Sequence, residues 1–354
     1  MNVMFDLVNI YYIPQFQPII AHLLDRGHDV CLVCDRRNFD VAYDSVIKSF
    51  GWKSIWVEND QKAAQLYKEK SPDWIIFGNT FKYLDQLSPE TKTAQLGHGI
   101  GPKPSYYHKS STPMTVRFIE GVKRLEKIKE LYPNDEFVQV GFSKLDPIFN
   151  ASEQGLNLEA LGLDTKRQTM LYAPTFNPSS LECFPDDWPL DFSKFNILIK
   201  PHSFTYTIEK YSGQRTKLKK WAEYENVHVA APNELSLVPY LSSADILISE
   251  ASSTLFEFVA LDKPVVVCDF YKLKWSYRGI FRYRFKKRFG TDNVLYRDIG
   301  PHVKSYKALK SEVHNQLAHP EQYQKQRKQY TLDHVGPTDG SASARIVEYL
   351  ETHS

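Results

Sequence analysis

The segment Asp245-Ile-Leu-Ile-Ser-Glu-Ala-Ser-Ser-Thr-Leu-Phe-Glu-Phe-Val-Ala-Leu-Asp-Lys-Pro264 decides the fold class of this chain. Its apolar run, Ile246 to Ile248, reads as a strand buried on both faces, as in a parallel sheet. Ser252, Ser253 and Thr254 follow at once, and a helical apolar pattern opens at Leu255. Lys263-Pro264 stops the helix, and a second buried strand, Val265 to Cys268, begins. A strand–turn–helix–strand unit of this kind brings free backbone N–H groups and the helix dipole to one point, which suits an anion such as a phosphate. In an open α/β sheet that point lies at the carboxyl ends of the strands, where ligands bind. The purely structural alternative makes Thr254 the N-cap and Glu257 the N3 partner of a capping box.

Outward from this unit, strands alternate with helices. Val3–Val8, Asp29–Cys34, Trp74–Phe77, Thr93–Leu96 and Phe137–Val140 are expected strands of a first half. Pro18–Asp25, Ala42–Phe50 and Gln61–Glu69 are expected helices, the first stopped by Gly27, and 118–129 is mixed. The polar, Gly-containing stretch 150–167 reads as a linker. Met170–Ala173, Asn196–Ile199, Val227–Ala230, Ile246–Ile248 and Val265–Val267 form a second strand series. An amphipathic helix, Ser341–Leu350, closes the chain after Gly336-Pro-Thr-Asp-Gly340. The alternation predicts an α/β protein of two Rossmann-like domains facing across a cleft. The expected divisions are residues 1–150, residues 151–335, and a C-terminal segment 336–354 whose helix packs on the first domain.

Composition sets the limits. The chain has 354 residues, 42% hydrophobic and 24% charged, which suits two soluble globular domains. A net charge of +2 gives no reason to expect a nucleic-acid partner. Cys31-Leu-Val-Cys34 lies within a strand pattern without a partner pair, so it reads as two core thiols rather than a redox or zinc motif. The start, Met1-Asn-Val-Met-Phe-Asp-Leu-Val, is a core strand and not a signal peptide, and no stretch is long and apolar enough to span a bilayer. A cytoplasmic protein is expected.

Polar residues gather where strands end. His98 sits in Gly97-His-Gly-Ile-Gly101, with Lys103 two residues beyond. Gly99 and Gly101 would let the backbone approach a ligand, and an imidazole there can do acid–base work near neutral pH. Thr175 ends one strand of the second half; Lys200, His202 and Ser203 end the next. The stretch 271–290 interleaves Lys272, Lys274, Arg278, Arg282, Arg284, Lys286, Lys287 and Arg288 with aromatic residues and contains no acidic residue. Such a patch suits an anionic lipid surface or a polyanionic acceptor; the alternative is a solvated basic loop. Asp186-Asp187 lacks the Asp-x-Asp spacing of metal-dependent nucleotide-sugar transferases, and no His/Cys/Asp/Glu cluster has metal-ligand spacing. Neither a metal nor a cofactor is expected.

Taken together, His98-Gly-Ile-Gly-Pro-Lys103, Gly141-Phe-Ser-Lys-Leu-Asp146, Tyr172-Ala-Pro-Thr175, Lys200-Pro-His202 and Asp245 through Pro264 resemble, in order, the CDP-glycerol glycerophosphotransferase family of teichoic acid and capsule synthesis. The resemblance implies a GT-B fold whose terminal helix crosses back to the first domain. It also implies a CDP-activated polyol donor, a lipid-linked or polymeric acceptor hydroxyl, and release of CMP. Carried over by position, His98 matches the proposed base and His202 with Ser252 and Ser253 the donor-phosphate contacts. Glu257 lies where related enzymes hold the nucleotide ribose. Gly99, Gly101, Lys103, Thr175, Lys200, Ser203, Thr254 and Arg278 complete the expected substrate contacts. The chain departs from the family where Glu250-Ala251 replaces an Asp and an aromatic residue, and where Ile-Gly-Pro-Lys follows His98. The expected function is metal-independent glycerophosphate transfer at the inner face of the cell membrane, with peripheral binding to anionic lipid. The alternatives are a GT-B glycosyltransferase using a nucleotide sugar, and a non-catalytic membrane-associated scaffold.

Overall fold

The computed structural model describes residues 1–38, 41–96, 99–101, 114–250, 252–272, 279–281, 283 and 298–354. They fall into two compact units. One comprises Met1–Ile100, Pro104–Ser152 and Leu332–Ser354; the other comprises Gly101–Lys103 and Glu153–Thr331.

The first unit is built on β1 (Asn2–Leu7), β2 (Asp29–Asp35), β3 (Lys53–Val57), β4 (Trp74–Phe77), β5 (Lys92–Gln95), β6 (Val116–Ile119) and β7 (Glu136–Gln139). These make a seven-stranded sheet in the order β3-β2-β1-β4-β5-β6-β7, with parallel pairing throughout. The central strands are buried along nearly their whole length, which is why they read as apolar runs. Cys31 and Cys34 are free thiols buried on β2. The helix expected from Pro18 begins instead at Ile13. Its first turn carries Pro14, where the missing N–H costs nothing, and its buried face runs through Phe16, Ile19, Ile20 and Leu23. Pro18 is therefore an interior residue rather than a start. Gly27, at φ 79°, ends this helix in the left-handed conformation that a side chain would disfavour.

The last helix, Ala342–Thr352, groups with the first unit. Ser341 at its start makes no side-chain cap. The buried carboxylate of Asp146 takes that place, accepting the N–H groups of Ala342 at 3.1 Å and Ser343 at 2.6 Å. At its other end Trp74 Nε1 donates to the Leu350 carbonyl at 3.2 Å. The chain returns to this unit at Leu332, and at Gly336 a Cβ would lie 2.0 Å from the Glu120 carbonyl oxygen, so only glycine fits.

The second unit carries β8 (Thr169–Ala173), β9 (Asn196–Ile199), β10 (Val227–Val229), β11 (Ile246–Ser249), β12 (Val265–Cys268) and β13 (His302–Val303). The order β10-β9-β8-β11-β12-β13 is again parallel throughout. One face packs Tyr172, Phe184, Trp188, Trp221, Leu309 and Val313 into a continuous core. From β8 the chain first builds outward to β9 and β10, then returns to place β11 on the other side. The carboxyl ends of β8 and β11 are therefore the switch point of this sheet, where the connections diverge and leave a crevice.

Candidate active site

The switch point of the second sheet gathers the polar residues. β8 and β11 run in register, Ala173 opposite Ser249, and the Ser249 hydroxyl donates to the Ala173 carbonyl at 2.7 Å. Glu250 follows directly and is 1% exposed. Its Oε2 accepts the Thr175 N–H at 2.7 Å, and its Oε1 accepts the Ser180 N–H at 2.7 Å together with the Ser180 hydroxyl. Tyr172 Oη lies 2.8 Å from the same hydroxyl oxygen. Burial pushes the Glu250 carboxyl up to about 7, although the Ser180 and Thr175 donors pull the other way. Thr175 also donates its hydroxyl to the Pro178 carbonyl, folding the loop upon itself.

β9 ends into Lys200-Pro-His-Ser203. His202 is the N-cap of the helix Ser203–Thr207, its Nδ1 accepting the Phe204 N–H at 3.1 Å. A neutral imidazole with Nδ1 as acceptor carries its proton on Nε2, so that nitrogen is a donor. The ring is flanked by Phe176 at 4.7 Å and Phe204 at 4.9 Å between centroids. Ser203 opens the helix, and Lys200 lies over the Tyr240 ring at 5.9 Å.

The helix of the opening segment is Ser253–Val259, with Ser252 as N-cap in an extended conformation. Ser252 Oγ accepts the Thr254 N–H at 3.3 Å and donates to Thr254 Oγ1 at 3.2 Å. This corrects the expected capping box. Thr254 lies inside the helix, Leu255 occupies N3, and Glu257 sits beyond the first turn, 2% exposed. β11 ends early enough for the turn to leave Ser252, not Thr254, as the last extended residue. Ser253 Oγ has no hydrogen-bond partner among the described residues.

Gly101 groups with the second unit, at φ 104° and with a Cβ position 2.6 Å from the Phe256 ring, so the approach requires glycine. Gly99 belongs to the first unit, where its carbonyl accepts Arg124 Nη1 at 2.8 Å. Arg124 is buried and pairs with the buried Glu120 at 3.2 Å. His98, Lys103 and Arg278, and most of the basic aromatic stretch, lie outside the described residues. Among the described residues no group of His, Cys, Asp and Glu could hold a metal ion.

The structure thus brings Thr175, His202, Ser203 and Lys200 to the carboxyl edge of the second sheet, together with Ser252, Ser253 and Thr254. Sequence reasoning missed three residues there. Glu250 stood only as a departure from a pattern, although a carboxylate directly after an apolar strand is itself a signal. Ser180 and Phe176 carried none, since a loop's return path has no periodicity.

A family model described as CDP-glycerol:poly(glycerophosphate) glycerophosphotransferase matches residues 124–352. Two relatives are teichoic acid glycerol-phosphate primases. That of Bacillus spizizenii strain W23 is 27% identical over 164 residues, 42% of this chain and 39% of the relative. That of Bacillus subtilis strain 168 is 22% identical over 230 residues, 58% of each chain. The chain thus spans less than two thirds of the length of these relatives. The solved structure of the wall teichoic acid polymerase TagF superposes with a TM-score of 0.69 at 16% identity, over 99% of this chain and 88% of that one. The fold is GT-B-like.

Proposed function

The chain belongs to the CDP-glycerol:poly(glycerophosphate) glycerophosphotransferase family, and from that premise we propose that it transfers glycerol phosphate, or a related polyol phosphate, from a CDP-activated donor to a hydroxyl of a lipid-linked or polymeric cell-envelope acceptor. The acceptor oxygen attacks the phosphorus that bears the glycerol. The bond from that phosphorus to the bridging oxygen breaks, and CMP leaves with the electron pair. His98 accepts the acceptor's proton. His202, donating from Nε2, stabilises the charge that builds on the phosphates. Lys103, Lys200, Ser203, Ser252, Ser253 and Thr254 share that task. Gly99 and Gly101 admit the ligand close to the backbone. Thr175 and Arg278 contact the donor, and Glu257 binds the ribose. The enzyme works peripherally on the inner face of the membrane, held by its basic aromatic stretch.

The observation that supports this reading most is the His202 ring. Its Nδ1 is committed to the Phe204 N–H, so Nε2 is the donor, beside the switch point of the sheet. The relatives named as glycerol-phosphate primases agree with the proposed chemistry. The test is calorimetric titration of CDP-glycerol, CDP, UDP-N-acetylglucosamine and GDP-mannose. The proposal expects the cytidine compounds to bind and His202→Ala to weaken them by about 10- to 100-fold, as for loss of a hydrogen bond to a charged group. Preference for a uridine or guanosine sugar would support a glycosyltransferase instead.

A further inference from the structure

We propose that Glu250 is a positioning residue of the donor site: its carboxylate brackets the 174–180 loop, and through that loop it fixes Thr175 and the ring contact between Phe176 and His202. The inference deepens the reading above and rests on it for the identity of the ligand.

The loop leaves β8 after Ala173 and meets the short helical turn Leu181–Cys183. No strand pairing holds it. Glu250 supplies the anchors instead. Oε2 takes the N–H of Thr175 near one end, and Oε1 takes the N–H and hydroxyl of Ser180 at the other. A carboxylate is the acceptor-only group that can take all three donors. A glutamine of the same shape would turn an N–H toward one of them and leave it unpaired.

Within the bracket, Phe176 carries the constraint outward. Its ring lies 4.7 Å from the His202 imidazole, and its carbonyl accepts Gln214 Nε2 at 3.2 Å. On the other side Glu250 lies two residues before Ser252, the cap of the helix Ser253–Val259. One buried carboxylate thus ties together the ends of β8, β9 and β11. The titratable groups that face it are Tyr172 on β8, Cys268 on β12 and Cys183. Burial pushes all three above their usual values.

The test compares full-length wild type with Glu250→Gln at pH 8, by hydrogen exchange resolved to peptides and by calorimetric titration with CDP. The expected result is faster exchange in 174–180, unchanged protection of 169–173 and 246–249, and CDP affinity lower by about tenfold, the equivalent of one neutral hydrogen bond's positioning. Unchanged exchange in 174–180 overturns the bracket. Faster exchange with unchanged CDP affinity overturns the positioning role. If wild type does not bind CDP, the donor reading falls, and the bracket stands or falls on the exchange data. If Glu250→Gln does not fold, Ser180→Ala, which removes one donor from the bracket and keeps the carboxylate, is read by the same two measurements, and unchanged exchange in 174–180 overturns the bracket.

Discussion

Replacing Ser253 by alanine separates ligand binding from helix capping, because the structure gives the two neighbouring serines different work. Ser252 Oγ is the cap, through one hydrogen bond of 3.3 Å to the Thr254 N–H. Its loss should cost about 0.5–1 kcal/mol of stability. Ser253 Oγ has no partner among the described residues. Ser253→Ala should therefore leave stability within about 0.5 kcal/mol. Donor binding should respond differently. A hydroxyl bonded to a phosphate oxygen contributes roughly 1.5–3 kcal/mol. At about 1.4 kcal/mol per decade, that is a rise in Kd of about 10- to 150-fold. Calorimetric titration of CDP-glycerol beside thermal melts of Ser252→Ala and Ser253→Ala measures both. A Ser253→Ala protein with wild-type stability and wild-type Kd would refute the assignment of Ser253 to the donor phosphates. A Ser253→Ala protein that loses stability in step with affinity would show that its hydroxyl is structural after all.

Four further outcomes follow from the same reasoning. His98→Ala should lower turnover by roughly a hundred- to ten-thousand-fold with CDP-glycerol affinity retained, as single-turnover kinetics and calorimetry would show. Asp6, buried on β1 with the Tyr67 hydroxyl 2.7 Å away, is pushed by burial from 3.8 up to about 7. Its contribution to stability is therefore full below about pH 4 and lost as pH rises through about 7. Asp6→Asn should flatten the pH dependence of the first unit by on the order of 4 kcal/mol, read by urea denaturation with hydrogen exchange on β1 and β4; an unchanged slope would contradict this. Activity should survive EDTA if, as proposed, His, Lys and backbone N–H groups offset the phosphate charge, and loss restored by magnesium would contradict that assignment. The protein should co-sediment with anionic vesicles at low salt and release at high salt, since each Lys or Arg of 271–290 near the surface contributes about 1 kcal/mol; salt-independent behaviour would contradict membrane binding.

The parallel sheets were legible because a strand covered on both faces must be apolar end to end, as Trp74–Phe77 and Ile246–Ile248 are. Elements without that constraint escaped. β3, Lys53–Val57, is an edge strand with mostly half-buried residues, and β13 has two residues. The helix Gln324–His334 buries only Arg327, so its sequence shows no apolar face. At the site, strand ends located Thr175, Lys200 and His202, because the polar residue after a buried run marks the sheet's edge. The capping box was misplaced by two residues. Its Thr-x-x-Glu pattern is satisfied at Thr254 and Glu257, but backbone geometry at the end of β11 chooses the cap. Contacts across sequence were not legible at all. The three donors on Glu250 and the Phe176–His202 ring pair join segments 70 to 75 and 26 residues apart, and no local pattern records them.

The central claim is transfer of a phosphoryl-linked polyol, and phosphorus NMR of the reaction tests it most directly. The protein, CDP-glycerol and a lipid-linked hydroxyl acceptor should yield CMP and a new phosphodiester resonance in equal amounts, with both signals absent in His98→Ala. Stable CDP-glycerol beside consumption of a nucleotide sugar, with a free nucleoside diphosphate and no new phosphodiester, would contradict it.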